Sequence, residues 1–199
     1  MNTLPDTASL QDRIGLRAPL AFTATVLLLF GLGYALAGTA AGRLLFPAEA
    51  SGSTLVADGR VVGSALLAQP FADARYFQPR PSAANYDPMA ASGSNLARSN
   101  PALLARIEDA RKSVAARDGL READVPIELV TQSGGGLDPD LTPAGARVQI
   151  ARVARARGLD PTVVAKLVDV FTEAPQFGVL GQPRVNVLRL NLALDALPH

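Results

Sequence analysis

The chain has 199 residues, enough for one domain and an additional segment, and 48% of them are hydrophobic, so a packed core is expected rather than general disorder. A formal net charge of +1 provides no broad positive field, which argues against a nucleic-acid partner. The sequence has no cysteine and one histidine, His199, at its end; this excludes disulfides and thiolate chemistry and leaves little basis for a Ser-His-Asp site or a histidine-ligated zinc.

The first predicted element is a membrane-spanning helix over residues 18–41. This stretch, APLAFTATVLLLFGLGYALAGTAA, has no charged residue. About 20 apolar residues rising about 1.5 Å each cross a hydrocarbon layer of about 30 Å. Arg13 and Arg17 precede the stretch and Arg43 follows it. This distribution of basic residues predicts a cytoplasmic N-terminus at residues 1–17.

Two features of the helix leave alternatives open. Ala35-Leu36-Ala37 is an A-x-A pattern typical of signal-peptide cleavage, although the uncharged stretch is longer than the usual apolar region of about 7–15 residues. Small residues recur four positions apart, which suits close packing of another helix but also reflects how common they are in membrane helices. The pairs are Gly31 and Ala35, Gly33 and Ala37, and Gly38 and Gly42. Gly31, Gly38 and Gly42 are candidate partner contacts.

The remaining sequence predicts a linker at residues 42–58 and an extracytoplasmic α/β domain at residues 59–199. Asp58-Gly59 is a turn signal. The segment RVVGSALL (60–67) is rich in branched and aliphatic residues and predicts a strand that ends before Pro70.

Residues 71–99 predict a long polar loop. The segment is rich in Pro, Ser, Ala and Asn and follows neither a helix nor a strand period. Long loops in compact domains are usually functional or disordered, and its aromatic residues argue against full disorder. We therefore expect a fixed loop that folds over the domain or onto a partner. The candidate partner contacts in and beside it are Tyr76, Phe77, Arg80, Ser94, Asn95 and Asn100.

Among these candidates, Arg80 lies between Pro79 and Pro81, which stiffen the chain around it. Its planar guanidinium suits either a bound anion or carboxylate, or a buried ion pair that holds the loop. The sequence leaves both interpretations open.

Three amphipathic helices are predicted, each beginning with a capping residue followed by proline. The three starts are Asn100-Pro101, Thr142-Pro143 and Asp160-Pro161. Apolar residues recur three and four positions apart after each start, and the helices are expected to end before Gly119, at Gly158 and before Pro175. In the second helix, Arg147, Arg152, Arg155 and Arg157 spread around the axis, which favours a solvated surface or scattered ion pairs over a nucleic-acid footprint.

Two further strands are predicted, VPIELVT (125–131) and VNVLRLNLALD (185–195). In the second, Leu188, Leu190, Leu192 and Leu194 alternate and would share one face. With the three helices, these strands predict a small mixed α/β domain.

The segment TQSGGGLDPD (131–140) contains three consecutive glycines. It lacks the lysine and Ser/Thr of a P-loop and the ligand pattern of an EF-hand. We interpret it as a turn after a strand, with contact to another protein or a nucleotide as the functional alternative. The candidate residues for that alternative are Ser133, Gly134, Gly135, Gly136 and Asp138.

Five segments together resemble the C subunit of the Kdp-type potassium-transporting ATPase, over roughly residues 16–195. They are YFQPRPSA (76–83), SGSNLARSNP (92–101), VTQSGGGLDPD (130–140), RVARARGL (152–159) and GQPRVNVLRLNLALD (181–195). Their order along the chain makes the resemblance specific. Met89-Ala90-Ala91 and Ala97-Arg98 depart from the more glycine-rich pattern of the family.

The resemblance implies a single-pass protein of the bacterial inner membrane. Its implied partners are a potassium-channel-like subunit, a P-type ATPase subunit and a very small membrane subunit. It implies an accessory role in ATP-driven potassium import, stabilising the complex and raising the nucleotide affinity of the ATPase subunit, with no cofactor of its own. A cytoplasmic N-terminus conflicts with direct nucleotide contact by residues 133–136, since it places them outside.

Two other functions remain open on the sequence alone. A membrane-tethered envelope hydrolase would use two carboxylates, although no spacing among the acidic residues selects a pair. A tethered module that binds a small anion would be centred on Arg80.

Overall fold

The computed structural model describes residues 15–197, which form parts of two compact units, Met1–Ser51 and Gly52–His199. Arg13, on which part of the orientation argument depends, and His199 lie outside the described residues.

The first unit contains one long apolar helical run from Arg17 to Leu45, within which an 18-residue window has a mean hydropathy of 2.0. It consists of α1 (Arg17–Val26), a π-helical stretch (Leu27–Gly33) and α2 (Tyr34–Leu45). Among the described residues this is the one helix long and apolar enough to cross a membrane. The run is longer than predicted because no helix breaker occurs before Pro47, which begins the short α3 (Pro47–Ala50).

Two of the hydroxyl groups of this run donate to carbonyls of the same helix. Thr25 Oγ1 donates to the carbonyl of Ala21 and Thr39 Oγ1 to that of Ala35, each at 2.8 Å. A span in lipid needs such internal partners, because hydrocarbon provides none. These two threonine hydroxyls are therefore suited to a hydrocarbon environment.

The second unit begins with a two-stranded antiparallel hairpin, β1 (Thr54–Ala57) and β2 (Arg60–Ser64). The predicted turn is confirmed: Asp58 and Gly59 have φ values of 49° and 73°, the left-handed pair that a tight hairpin requires. The predicted strand over 60–67 is confirmed only as far as Ser64.

A three-stranded antiparallel sheet lies in the body of this domain, in the order β3–β5–β4. The strands are short: β3 (Asp140–Leu141), β4 (Thr172–Glu173) and β5 (Arg184–Asn186). Five helices accompany the sheet. They are α4 (Pro101–Asp118), α5 (Pro143–Arg147), α6 (Ile150–Arg157), α7 (Pro161–Val170) and α8 (Val187–Asp195). The prediction of one apolar helix followed by a small α/β domain is confirmed.

All three predicted helix starts are confirmed by their caps. The side chains of Asn100, Thr142 and Asp160 accept hydrogen bonds from backbone N–H groups of the first turn. Gly119 and Gly158 end α4 and α6 in the left-handed conformation. The second predicted helix is divided into α5 and α6 by an irregular turn at Val148 and Gln149.

The prediction of a strand at residues 125–131 is wrong. The segment forms a 3₁₀ turn at Ile127–Leu129, and the N–H of Leu129 donates to the carbonyl of Pro126 at 3.0 Å. Leu129 and Val130 are buried side by side, whereas consecutive strand residues would face opposite ways. A short apolar run does not by itself distinguish a buried turn from a strand.

The prediction of a strand over 185–195 is wrong beyond Asn186. Asn186 caps α8 by accepting a hydrogen bond from the N–H of Arg189 at 3.1 Å. The buried residues of α8 recur at the helical spacing of three and four: Val187, Leu188, Leu190, Asn191 and Leu194. The alternating leucines imitate a strand only because Asn191 occupies a core position between them.

The core is built from residues of every helix and of the sheet in the second unit. Its largest fully buried side chains include Phe77, Leu141, Val153, Val164, Val168, Val185, Leu190 and Leu194. Phe77 comes from the long loop, so the loop contributes to the core of the domain.

Candidate functional site

Two buried carboxamides hold the backbone of the polar loop. The N–H of Phe77 donates to Asn191 Oδ1 at 2.8 Å, and Asn191 Nδ2 donates to the carbonyl of Phe77 at 2.9 Å. Gln149 pairs with both backbone groups of Gln78 in the same way, at 2.8 and 3.0 Å. Two consecutive loop residues are thus held as they would be by a neighbouring strand.

A buried arginine fixes the segment just before them. Arg152 Nη1 donates to the carbonyls of Ala74 and Tyr76 at 2.6 and 2.9 Å, and its Nε donates to Asp118 Oδ1 at 2.6 Å. Asp118 also accepts from Arg117 Nη2 at 2.6 Å. The charge of Arg152 is therefore compensated inside the domain.

Tyr76 is held at the surface of the same region. Its hydroxyl donates to Asp195 Oδ2 at 3.0 Å, and the guanidinium of Arg157 lies 5.0 Å from its ring centre. The pKa of Tyr76 is raised above its usual value. The larger cause is partial burial, and the second is the hydrogen bond to Asp195. Arg157 also pairs with Asp195 at 2.7 Å, so the two residues and Tyr76 form one cluster.

Arg80 forms an ion pair with Asp138, with 2.9 Å between Nη1 and Oδ2. Both side chains are partly exposed, at 25% and 34%. The interpretation of Arg80 as an ion pair that holds the loop agrees with this geometry, but the pair is partly exposed rather than buried. The hydroxyl of Tyr86 donates to the carbonyl of Arg80 at 3.0 Å, and burial raises the pKa of Tyr86.

The glycine segment packs against the polar loop. Gly136 has a φ of 74°, and a Cβ there would lie 2.9 Å from the carbonyl oxygen of Ser92. A Cβ on Gly93 would lie 2.6 Å from the carbonyl oxygen of Gly134. These glycines allow two backbones to approach closely, which is a structural use of the segment.

The other residues of the glycine segment are engaged within the domain. The N–H of Ser133 donates to the carbonyl of Pro81 at 3.2 Å, and its side chain is buried. The N–H of Gly136 returns to the carbonyl of Ser133 at 3.2 Å, forming the predicted turn. Gly134 and Gly135 are exposed, so their backbone is the accessible part of this segment.

The remaining predicted partner contacts of the loop differ in their exposure and in their hydrogen bonds. Phe77 is fully buried and does not form part of the domain surface. Asn100 caps α4 with its side chain, and Asn95 is exposed with a φ of 50°. Ser94 Oγ accepts a hydrogen bond from Arg106 Nη2 at 3.3 Å at the edge of an apolar cleft of about 520 Å³.

In the first unit, Gly31, Gly38 and Gly42 present open backbone. A Cβ added at any of them would meet no atom within 4 Å. The surface along these glycines is open, and contact with another helix there stays a prediction. The described residues contain no group of three or more His, Cys, Asp or Glu side chains that could hold a metal ion.

The sequence pattern did not predict the three side chains that hold the backbone of the polar loop. Arg152 and Asn191 are buried polar residues of α6 and α8, and Gln149 is buried in the turn between α5 and α6. The signal available for them was a polar residue at an apolar-face position, since buried polar groups require a partner.

One apolar N-terminal helix followed by a small mixed α/β domain defines a class of protein suited to be a membrane-anchored subunit. Residues 16–196 match the family model KdpC, described as K⁺-transporting ATPase, c chain, and the chain belongs to this family. The chain is 63% identical over 186 residues to the potassium-transporting ATPase KdpC subunit of Xanthomonas campestris pv. campestris strain B100, covering 94% of this chain and 89% of the relative.

Two further relatives have the same description. The KdpC subunit of Shewanella putrefaciens is 48% identical over 200 residues, covering 99% of this chain and 98% of the relative. That of Methylococcus capsulatus is 53% identical over 173 residues, covering 85% and 91%. The resemblance seen in the sequence is therefore confirmed across both units.

Proposed function

We propose that this chain is a non-catalytic accessory subunit of an ATP-driven potassium import pump in the bacterial inner membrane. Its apolar helix spans the membrane, its N-terminus is cytoplasmic, and its α/β domain is extracytoplasmic. The partners are a channel-like potassium subunit, a P-type ATPase subunit and a very small membrane subunit. The observation that carries the proposal is the family match, which extends over residues 16–196 and so includes both units.

A scaffolding role is supported by how the domain uses its polar residues. The buried carboxamides of Gln149 and Asn191 and the guanidinium of Arg152 all hold loop backbone. The sequence also lacks the D-K-T-G motif on which aspartyl phosphorylation depends in such pumps. Hydrolysis and ion transfer accordingly belong to the partners, and the chain needs no cofactor of its own.

The effect on nucleotide affinity is indirect in this proposal. Ser133 is buried and Asp138 is paired with Arg80, and an extracytoplasmic domain is separated from cytoplasmic ATP by the membrane. The chain raises nucleotide affinity by stabilising the assembled state of the ATPase subunit. By linkage, a partner that binds only that state increases its population.

The proposal is tested by purifying the complex with and without this chain. Without it, we expect loss of subunit association and of potassium-stimulated ATP hydrolysis. A complex that keeps its other subunits and its full potassium-stimulated activity would contradict the accessory role.

The orientation has its own test, which the absence of cysteine makes simple. Single-cysteine variants Gly135→Cys and Thr3→Cys in intact cells are treated with a membrane-impermeant maleimide. We expect labelling of the Gly135→Cys variant and none of the Thr3→Cys variant until the membrane is permeabilised. The reverse pattern would place the glycine segment in the cytoplasm.

A further inference from the structure

A hairpin between β4 and β5 exposes an unusual amount of apolar surface. Phe177, Val179 and Leu180 are 84%, 79% and 58% exposed, and we call these three residues the apolar tip. They lie within four consecutive positions, so they form one patch rather than scattered surface residues. Nothing else in the described domain covers them.

The hairpin holds the apolar tip in a fixed conformation. Gln176 and Leu180 exchange both backbone hydrogen bonds, at 2.8 and 2.9 Å, and the N–H of Gly178 donates to the carbonyl of Pro175 at 2.9 Å. At its base Glu173 pairs with Arg184 across the two strands, with 2.9 Å between the charged groups. The tip is therefore an ordered projection from the central strand of the sheet.

Phe177 is in a conformation that is unfavourable for its residue type. Its φ is 55° and that of Gly178 is 75°, as in a type I′ turn, where asparagine followed by glycine is preferred. A bulky side chain at positive φ is uncommon, and here the ring gains no compensating burial within the domain. Residues held in such conformations cluster at functional sites.

The chemistry around the apolar tip identifies the kind of surface that receives it. Residues 174–183, APQFGVLGQP, contain no charged residue. Segments that lie on membranes usually have basic residues for anionic lipid and a longer amphipathic face. An ordered, uncharged projection instead suits a protein pocket, because little conformational entropy is lost on docking.

We propose that the apolar tip docks into an uncharged apolar pocket on another subunit of the same transport complex, with Phe177 as its central anchor. Aromatic side chains in desolvated pockets contribute disproportionately to association. This inference rests on the proposed function, because it requires that the chain assembles with partner subunits.

The test uses Phe177→Asn in the full chain, because this substitution affects folding and docking in opposite directions. Asparagine tolerates positive φ, so we expect the melting temperature of the isolated chain to rise by about 2 °C. Association with the partner subunits in detergent should weaken about tenfold. Phe177→Leu keeps an apolar group and should associate within about threefold of the unchanged chain.

Met89→Asn is the matched control, since Met89 is 92% exposed and lies outside the hairpin. It should leave association unchanged. If Phe177→Asn assembles as well as the unchanged chain, or if its melting temperature falls, the proposal is overturned. A loss of binding confined to lipid vesicles, with normal assembly in detergent, would assign the tip to the bilayer and overturn it as well. If the unchanged chain retrieves no partner subunit, the proposed function itself fails.

Discussion

Arg152 and Asp118 form a buried ion pair between α6 and α4, with 2.6 Å between Nε and Oδ1 and side-chain exposures of 7% and 0%. Arg152→Met leaves Asp118 buried with Arg117 alone and removes the donor from two loop carbonyls. We expect the free energy of unfolding to fall by about 3–5 kcal/mol. Urea unfolding of the full chain in detergent measures this.

Arg147→Met is the control for that change. Arg147 pairs with Asp169 at 2.8 Å, but both side chains are more than half exposed. A pair of this kind contributes at most about 1 kcal/mol. Equal losses for the two variants would contradict the structural role assigned to Arg152.

The polar loop is expected to stay packed on the domain only when Asn191 holds the backbone of Phe77. Asn191→Leu leaves the N–H and the carbonyl of Phe77 buried without a partner, at about 1–3 kcal/mol for each group. Limited proteolysis should then cut within residues 71–99 before it cuts the helices. Gln182→Leu, at an exposed position, should be cut like the unchanged chain. Resistance of the Asn191→Leu loop would show that its backbone is held by other contacts.

Gly93 and Gly135 give a matched pair within the packed loops. A Cβ on Gly93 meets a backbone oxygen at 2.6 Å, whereas one on Gly135 meets nothing within 4 Å. Gly93→Ala should lower stability by about 1–3 kcal/mol, because one backbone segment must move. Gly135→Ala should leave stability unchanged or raise it slightly. Thermal unfolding of both variants distinguishes them, and the same ordering should appear in proteolysis of the loop.

Asp140 gives a pH-dependent prediction. Burial raises its pKa above the usual 3.8, despite the hydrogen bond from Asn186 and the nearby charge of Arg184. The folded state therefore favours the protonated acid. The stability that the folded state gains from protonated Asp140 is fully present below pH 3.8. It is lost as the pH rises through the higher folded-state pKa of Asp140.

Asp140→Asn should accordingly raise the melting temperature at pH 7 and have little effect below pH 3.8. Asparagine retains an oxygen that can accept the hydrogen bond from Asn186. A gain that is the same at both pH values would show that ionisation of Asp140 is not its cause.

The sequence predicted those elements whose signals are local. The caps at Asn100, Thr142 and Asp160 act within one turn, and the apolar run at 18–41 needs no partner to be recognised. The strand predicted over 185–195 failed because a polar side chain at a core position imitates alternation. Asn191 is buried for its hydrogen bonds with Phe77, which no local pattern reveals.

For the candidate site too, the sequence predicted local features but not the pairing of distant residues. The polar loop was recognised as ordered from its aromatics, and Arg80 as an ion-pair candidate from its neighbouring prolines. Its partner, Asp138, is 58 positions away and was proposed only as a separate contact. Pairings at such separations depend on the folded topology, so composition and spacing do not give them.

The bonds between Asn191 and Phe77 join residues 114 positions apart. During synthesis the loop is made before α8, so the N–H and the carbonyl of Phe77 have no partner in Asn191 until 114 further residues have been added. The entropy of closing so long a segment is recovered only when that helix docks. Because α8 supplies Asn191, a nascent chain that stops before residue 187 lacks the side chain that holds the loop at Phe77.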